Sequence, residues 1–600
     1  MTKKRIFSFL ALVVCFGALA QAQHSPSSIA GAETAMGLSI GKENRVSETA
    51  AASKNPSEQY GVVSAGALEE LKAKLAEQEK QIEQLNSALE EQKKLIGSIL
   101  KSQSEESGSG ASAATPQLPR LGEVASTSAM VPLPPVAPMT APMTAAVMAP
   151  QAAAPAAPTS PLQFQLGSAT FTPVGFMDFT TISRSTNPGS GIGTNFGSIP
   201  YGNTAAGSLT ETRLSPQNSR VGVRVDAKVK DANVLGYLES DFLGQVGNPP
   251  NGGIAVSSNS YPLRLRLYWV DVRQGKIEFL GGQSWSMMTP NRKGISALPG
   301  DLFYSQDIDV NYQLGLTWGR IPGFRVLYHP SSTVTFGVSF ENSEPYVGGS
   351  GGGGVITPPT ALARLLGGQV NNGASVISAP AVHPDIIAKL AFDPSPKFHI
   401  EFTGLESTNK IVNATKTPFT TFTKAGFGGE LNLNFELVKN LRILTNNYWS
   451  DGGGRYIFGE APDFILRATG DISLVHSAST VTGFEYTAGK TMPTLFYVYY
   501  GGIYISRNTA LDANGTTRIG YGFSGSGNGQ NRAIQEGTFG TNTTIWKDGK
   551  YGALNLMFQY SYLQRNPWFV ATGTPSDAHV HMGFFNLRYT LPGAAPAIKY

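Results

Sequence analysis

Basic and acidic side chains recur at alternate positions of extended segments, where they would share one face. The basic set consists of Arg220, Arg224, Lys228, Arg264, Arg266, Arg325 and Lys389. The acidic set consists of Glu239, Asp241, Glu278, Glu401, Glu430 and Glu436, with Asp226 and Glu485 at equivalent positions. A guanidinium group presents a planar fork of donors that matches a carboxylate, so clustered arginines suit the recognition of carboxylate solutes.

Sequence patterns that support catalysis are missing. The chain has no HExxH motif, no pair of cysteines and no Walker-type loop, and its seven histidines are scattered. Nucleophilic, zinc-dependent and phosphate-cradling chemistry would each require one of these arrangements. We therefore predict that the protein is not an enzyme and needs no cofactor and no metal.

The composition excludes further classes. Charged residues are only 15% of the 600 residues, whereas aromatic residues reach 10% and glycine occupies 68 positions. An ordinary soluble protein has roughly 25% charged residues. A single cysteine, Cys15, excludes a disulfide-stapled domain. The formal net charge is +4, of which Lys3, Lys4 and Arg5, near the N-terminus, contribute +3; the rest of the chain has a net charge of about +1. With so little net charge, we expect no nucleic-acid partner.

Residues 1–22 have the features of a secretory signal peptide. Basic residues at 3–5 precede an apolar run at 6–19, and Ala-Gln-Ala at 20–22 is a small-residue cleavage site. The run, about fourteen residues, is too short for a helix that spans a bilayer. A retained membrane anchor is the alternative. Cleavage would remove the only cysteine.

Three segments separate the signal peptide from the rest of the chain. Residues 23–67 are predicted to be a flexible N-terminal segment. Residues 68–101 carry leucine and isoleucine at a 3-4 spacing between charged residues, which predicts a coiled coil, and the mixed core positions favour a trimer. An amphipathic helix packed on a globular core is the alternative. Residues 102–161 are rich in alanine and proline and are predicted to be an extended linker.

Residues 162–600 are predicted to form strands almost throughout, because apolar and polar residues alternate. A soluble sandwich shows the same alternation, so three further features decide. The strands are about 9 to 13 residues long, which suits a tilted bilayer crossing. Tight turns alternate with long loops. Aromatic residues gather near strand ends, at Trp269, Trp285, Tyr448, Trp449, Trp546, Tyr562 and Tyr589.

These features predict an all-β fold, a 16-stranded antiparallel transmembrane β-barrel with an aqueous lumen, preceded by the α-helical coiled coil. Residues 313–318 also alternate and could be assigned as the sixth strand, but only the assignment of 321–329 leaves a tight turn before the seventh strand. The predicted strands are 169–183, 217–230, 232–243, 261–272, 276–285, 321–329, 333–341, 384–393, 397–406, 425–437, 440–450, 478–488, 493–505, 533–546, 550–563 and 578–592.

The third long loop, 286–320, is a candidate constriction. It follows the fifth predicted strand and carries Arg292, Lys293, Asp301, Asp307 and Asp309. In sixteen-stranded porins this loop folds inward and narrows the pore. An ordinary surface loop that contacts a neighbouring protomer is the alternative.

The two charged sets occupy different strands of this barrel. Basic residues lie mostly on the second, fourth and sixth strands, whereas acidic ones lie mostly on the third and on the ninth to twelfth. Separate walls of opposite charge would create a transverse field that orients dipolar solutes. Alternatively, the two sets pair with each other and only keep the channel wet.

Several short motifs, in order along the chain, resemble the trimeric DcaP-like porins of Gram-negative outer membranes. They are Ser219–Val223, Gly282–Ser286, Ala297–Phe303, Phe340–Asn342, Pro384–Ala388 and Leu587–Pro592. The resemblance covers most of 170–592, and an N-terminal coiled coil is a further family-like feature. One departure is the extension at 593–600, because outer-membrane barrels usually end at a terminal aromatic residue.

The resemblance implies an outer-membrane homotrimer that passes small, often anionic, solutes such as carboxylates. We therefore expect passive diffusion of small hydrophilic solutes with a weak anion preference, a coiled coil in the periplasm, and contacts with lipid and lipopolysaccharide. The alternative is a structural anchor in which the coiled coil reaches peptidoglycan. A soluble secreted sandwich or adhesin is a third possibility.

Overall fold

The computed structural model describes residues 161–244, 261–349, 354–364, 366–373 and 379–592. The predicted signal peptide, flexible segment and coiled coil lie outside these residues. So do the linker up to residue 160 and the C-terminal extension from residue 593.

A single antiparallel sheet closes on itself to form the barrel. The sheet contains eighteen strands, and two of them, Phe164–Leu166 and Glu211–Ser215, are short pieces that pair with the first barrel strand, Ala169–Arg184. The other sixteen pair with their neighbours in sequence order. The last strand, Ala578–Thr590, pairs with the first and completes the ring. The prediction of sixteen antiparallel strands is confirmed.

We number the barrel strands in chain order. They are β1 Ala169–Arg184, β2 Arg220–Val229, β3 Ala232–Asp241, β4 Arg264–Gln274, β5 Ile277–Trp285, β6 Arg320–Ser331, β7 Val334–Glu341, β8 Asp385–Ser395, β9 Phe398–Asn413, β10 Thr420–Val438, β11 Leu441–Asp451, β12 His476–Ala488, β13 Thr494–Ile505, β14 Asn531–Asp548, β15 Gly552–Pro567 and β16 Ala578–Thr590.

Tight turns join the strands at one end and longer loops join them at the other. We number the longer loops by residue range: L1 185–219, L2 242–263, L3 286–319, L4 342–384, L5 414–419, L6 452–475, L7 506–530 and L8 568–577. The choice of 321–329 for the sixth strand is confirmed by β6, and the competing segment 313–318 lies in L3.

L5 is much shorter than the loop of 407–424 that the sequence predicts. β9 and β10 continue past the expected ends and remain paired from Phe398 with Phe435 to Asn413 with Thr420. Threonine, isoleucine and valine dominate the extra segments, and these residue types favour strands. The tip is held to L6, because Asn413 Nδ2 donates a hydrogen bond to Thr469 O at 2.7 Å.

Short elements occur within the loops. One α-helix, Ala205–Ser208, lies in L1, and four 3-10 helices are Phe196–Ser198, Pro299–Asp301, Leu366–Gly368 and Gly454–Tyr456. Two small hairpins are formed by Phe464–Leu466 with Ile472–Leu474 and by Asn508–Leu511 with Arg518–Tyr521. No helix in the part of the chain that the structure describes is long and apolar enough to cross a membrane.

A β-bulge in β4 corrects the predicted alternation of this strand. Leu265 opposes Ser240 and Leu267 opposes Glu239, so Arg266 is the extra residue. Leu267 is therefore turned inward and 0% exposed, whereas the sequence pattern places it on the same face as Leu265, which is 52% exposed. A bulge inserts one residue and reverses the alternation that follows it.

Aromatic residues near the strand ends divide between the two faces of the barrel. Trp449 and Trp546 are exposed on the outside, as a membrane girdle requires. Trp269, Trp285 and Tyr448 are buried inside instead. The alternation of side chains along each strand decides whether an aromatic residue points to the lumen or to the outside. In β4 the bulge turns Trp269 toward the lumen.

Candidate transport pathway

L3 lies inside the barrel. Met287 and Met288, in its first turn, are 1% and 0% exposed. Its backbone presses against the wall at Gly501 of β13, where a Cβ atom would lie only 2.0 Å from the carbonyl oxygen of Leu314. A residue without a side chain is required for such an approach. L3 therefore crosses the lumen from β5 to the opposite wall.

Five polar contacts fix L3 to strands far from its origin on β5. They are Asn291 N to Glu401 on β9 at 3.1 Å, Arg292 to Glu485 on β12 at 2.8 Å, Ile308 N to Gln559 on β15 at 2.8 Å, Leu314 N to Glu536 on β14 at 2.9 Å, and Thr317 Oγ1 to Glu430 on β10 at 3.0 Å. Backbone donors bound to wall carboxylates give the loop a defined path. L3 is therefore not a surface loop that contacts another protomer, which is the alternative prediction from the sequence.

The charged residues predicted for L3 have different surroundings. Arg292 is paired with Glu485, and Lys293 is exposed. Two of the aspartates accept hydrogen bonds within L3, Asp301 from Ser296 Oγ at 2.9 Å and Asp307 from Ser305 Oγ at 3.1 Å. Asp309 accepts one from Thr194 N of L1 at 3.2 Å.

Charges on β2, β3 and β4 form one network. The Arg266 guanidinium, carried by the bulge, lies between Glu239 at 2.8 Å and Asp241 at 2.6 Å. Arg264 also binds Asp241 at 2.7 Å, and Arg220 approaches Glu239 at 3.6 Å. β3 lies between β2 and β4, so its acidic residues neutralise the arginines on both sides. At this wall the predicted basic and acidic sets are brought together.

A tyrosine of L3 extends this network into the lumen. The hydroxyl group of Tyr312 accepts hydrogen bonds from Arg266 at 3.2 Å and Arg220 at 3.4 Å. The guanidinium carbon of Arg320 lies 5.4 Å from the ring centroid of Trp285 and 5.3 Å from that of Trp318. These contacts make an arginine-rich, aromatic surface around Tyr312.

A second network occupies β8 and β9. Lys389 Nζ lies 3.1 Å from Glu401 and donates to the carbonyl oxygen of Thr289 in L3 at 2.9 Å. His399 contacts Asp393 at 2.8 Å and Glu401 at 3.2 Å. Lys389 and Glu401 are almost completely buried. This pair holds the start of L3 instead of facing open water.

The remaining predicted residues take no part in the five polar contacts that fix L3. Arg224 pairs with Asp226 at 2.7 Å, Glu278 contacts His329 at 3.0 Å, and Glu436 lies 4.0 Å from Arg442. Arg325 is buried on β6, whereas Lys228 is exposed near the tight-turn end of β2.

A cavity of about 420 Å³ remains between L3 and the wall formed by β1–β3 and β14–β16. On the wall, the Phe176 ring lies between two guanidinium groups, with Arg588 at 4.2 Å and Arg220 at 5.2 Å from its centroid. L3 contributes Asp301 and Asp307 to the opposite side. Arginines and carboxylates therefore face each other across this cavity.

Sequence reasoning missed several residues of this site. Arg588 and Glu536 occupy polar positions of predicted strands, so the alternation could have identified both. Tyr312 and Arg320 gave no such signal, because a loop path inside a barrel is set by contacts between distant segments. Arg588 is bound to Asp178 at 2.6 Å.

The loops at the long-loop end pack together over the barrel mouth. Side-chain and backbone hydrogen bonds connect four of them to one another or to the barrel rim: Tyr346 N to Asp463 at 3.0 Å, Gln530 Nε2 to Val355 O at 2.9 Å, and Asn531 Nδ2 to Gly197 O at 2.7 Å. Arg455 of L6 binds Asp463 at 2.6 Å and also Asp385 at the start of β8. Apolar residues of L1, L4 and L6 form a common core with L3.

No protein-family model and no curated protein sequence matches the chain. Solved structures similar to it include three that align over 99–100% of their own length and 70–72% of this chain. The outer-membrane channel DcaP of Acinetobacter baumannii has a TM-score of 0.50 and 15% identity over 71% of this chain and 99% of its own. An anion-selective porin from Comamonas acidovorans has a TM-score of 0.39 and 10% identity over 70% and 100%.

OmpF of Salmonella typhi has a TM-score of 0.38 and 7% identity over 72% of this chain and 100% of its own. Of the three, DcaP alone reaches a TM-score that supports a common fold. The closed sixteen-stranded ring, the inward loop L3 and this likeness agree, so the resemblance to DcaP-like porins is confirmed at the level of the fold.

Proposed function

We propose that the protein is an outer-membrane porin, without enzymatic activity, that gives passive diffusion of small hydrophilic solutes with a weak preference for anions such as carboxylates. The cavity between L3 and the β1–β3 and β14–β16 wall carries this proposal. Sixteen strands enclose a lumen wide enough for water, and L3 divides it without occupying all of it.

The charge arrangement supports a weak preference. Arg220 and Arg588 present guanidinium groups to the cavity, and Glu239 lies on the same wall. Asp301, Asp307 and Asp309 face them from L3, so the lining as a whole has more acidic than basic residues. The excess of positive charge is confined to the wall formed by β1–β3 and β14–β16, and the local field there, rather than net charge, would favour anions.

Single-channel recording in planar bilayers tests the proposal. We expect stepwise openings and a reversal potential, in a salt gradient, on the anion-selective side. Arg220→Gln should shift this potential toward cations, whereas Arg220→Lys should shift it less because the charge is kept. Arg467→Gln is the control, because Arg467 is an exposed residue of L6 that does not line the cavity. Silence, or clear cation selectivity of the unmodified protein, contradicts the proposal.

A trimer is the proposed assembly, with the coiled coil of residues 68–101 in the periplasm. Openings that occur in groups of three would support it, and cross-linking of the full chain would count the protomers. Binding of purified peptidoglycan to the full chain, compared with a chain lacking 68–101, tests whether the coiled coil also reaches the cell wall. Liposome swelling with sugars, amino acids and dicarboxylates would identify the solute class.

A further inference from the structure

Two arginines flank one tryptophan at the long-loop end of the barrel. The guanidinium carbons of Arg507, in L7, and Arg532, on β14, each lie 5.9 Å from the ring centroid of Trp568. Both arginines are exposed. An arginine over an indole ring gains cation–π stabilisation and keeps its donors free for another partner.

Trp568 is fixed at the rim of the barrel, half-buried against the apolar cluster to which Ile505 belongs. Its indole Nε1 donates to the carbonyl oxygen of Ile505 at 3.0 Å, and its backbone N–H donates to Gln530 O at 3.0 Å. The ring packs edge-on against Tyr504, with centroids 6.3 Å apart. Tyr504 is 46% exposed, whereas the next residue, Ile505, points inward and is 0% exposed. Tyr504 therefore faces outward, and the Trp568 ring that packs on it lies at the outer rim.

A second β-bulge places Arg532 beside the Trp568 ring. Asn531 opposes Pro567 and Ala533 opposes Asn566, so Arg532 is the extra residue of β14. Asn531 is buried inside the barrel at 0% exposure. The bulge frees Arg532 from the regular ladder, as the bulge in β4 does for Arg266 inside the lumen.

Neither arginine is neutralised by a carboxylate among the residues that the structure describes. Two other exposed arginines in these loops do have acidic partners. Arg467 pairs with Asp471 at 2.8 Å and Arg213 with Glu211 at 2.7 Å. Two adjacent positive charges without such a partner would repel each other, so an external anion would stabilise them.

The height of the pair matches the headgroup level of the outer leaflet. Trp546 marks the opposite aromatic girdle on the same strand, and 546 − 532 gives 14 steps, of which the two bulge residues Arg532 and Ile545 add little rise. Twelve regular steps of about 3.4 Å at a tilt of about 40° place Arg532 about 31 Å above Trp546. The apolar band of such barrels is about 25 Å tall, so the arginines lie beyond its edge.

We propose that Arg507, Arg532 and Trp568 form a binding site for the phosphate group of a glycolipid headgroup anchored in the outer leaflet. The two guanidinium groups would bind the phosphate oxygens, and Tyr504 below them would contact the first part of an acyl chain. The proposal rests on the outer-membrane location and not on solute passage.

Lipid retention by the purified full chain in mild detergent tests the site. The probe is lipid A, an acylated glucosamine disaccharide with two phosphates, and bound lipid is counted by native mass spectrometry. Arg507→Gln with Arg532→Gln should lower retention at least about tenfold, because both charged groups that would bind the phosphate oxygens are lost. Trp568→Phe should retain most binding, and Trp568→Ala should not.

Arg518→Gln is the matched control, because Arg518 is an exposed arginine of the same loop without a contact to Trp568. Equal retention by the double variant and this control would overturn the site. Equal binding of dephosphorylated lipid A would contradict recognition of the phosphate group. Full competition by inorganic phosphate would contradict a role for the acyl chains in binding. Unchanged single-channel conductance in the double variant shows that the barrel is intact and keeps this test separate from the proposed transport function.

Discussion

Arg292 and Glu485 form a two-armed salt bridge across the lumen. The two guanidinium NH2 groups of this L3 residue lie 2.9 and 2.8 Å from the two carboxylate oxygens on β12. Arg292 also donates to Tyr304 O at 2.8 Å, so one side chain holds both ends of an L3 segment to the wall. Glu485→Gln should weaken this attachment by about 2–5 kcal/mol, because it leaves a charged donor without its partner.

We expect the weaker attachment to appear as larger and more frequent current fluctuations in single-channel traces. Arg467→Gln is the control, since Arg467 and Asp471 form an exposed pair in L6, 2.8 Å apart. A pair of that kind contributes about 0–1 kcal/mol. Traces of Glu485→Gln that match those of the control would show that L3 is held by its other contacts.

Arg266→Met tests the network on β2–β4. It would leave Glu239 and Asp241, which are 5% and 1% exposed, with Arg220 and Arg264 as their remaining charged partners. Loss of one member of a buried ionic network costs about 3–5 kcal/mol, and we expect the lower end because two arginines remain. Urea unfolding of the barrel in lipid vesicles measures the change.

A variant that combines Arg266→Met with Glu239→Gln and Asp241→Asn should recover part of the lost stability. The two most buried charges are then neutral, and the arginines that lose their partners, Arg220 and Arg264, have side chains that are 13% and 36% exposed and keep contact with water. If the triple variant is less stable than Arg266→Met alone, the carboxylates are stabilised by groups other than Arg266.

Gly501→Ala tests the contact between L3 and β13. The new Cβ would lie 2.0 Å from Leu314 O and 3.0 Å from Gln313 Nε2, so L3 must move. Overpacking of this kind costs about 1–3 kcal/mol. Gly537→Ala on the neighbouring strand is the control, because a Cβ there meets no atom within 4 Å. We expect altered conductance in Gly501→Ala alone, and equal traces from both variants would mean that L3 adapts without cost.

The barrel could be predicted because a membrane barrel imposes a local pattern. Each strand must alternate its faces, and each second connection must be a tight turn, so strand number and order can be read from neighbouring residues. The exceptions arise where this local pattern is broken. One extra residue, Arg266, reverses the inward face of β4, and hydrophobicity gives no sign of it.

The lumen could be predicted only in part, because loop paths depend on distant contacts. Glu401 and Glu485 are on predicted inward positions, but their partners, the Asn291 backbone and Arg292, come from L3. The assignment of charges to separate walls ignored strand adjacency: β3 lies between β2 and β4, which brings Glu239 within reach of arginines from both.

Glu460 of L6 gives the loop packing over the mouth a pH dependence. Its side chain is 0% exposed, and burial raises its pKa to about 8, against the opposing effects of the Gly197 backbone N–H and Arg565. An unfolded glutamate has a pKa of about 4.3. Between about pH 4 and 8 the folded loops bind the proton and the unfolded loops do not, so the stability of the packed loops falls as the pH rises through this window.

Amide hydrogen exchange of L1 and L6, corrected for the intrinsic rate at each pH, measures this stability. We expect protection to decrease from about pH 5 to pH 8 and Glu460→Gln to remove most of the decrease. Asp512→Asn in L7 is the control. Hydrogen bonds from Thr360 lower the pKa of Asp512, so it stays ionised across the window and its replacement should weaken protection equally at every pH. An unchanged pH profile in Glu460→Gln would assign the dependence to another group.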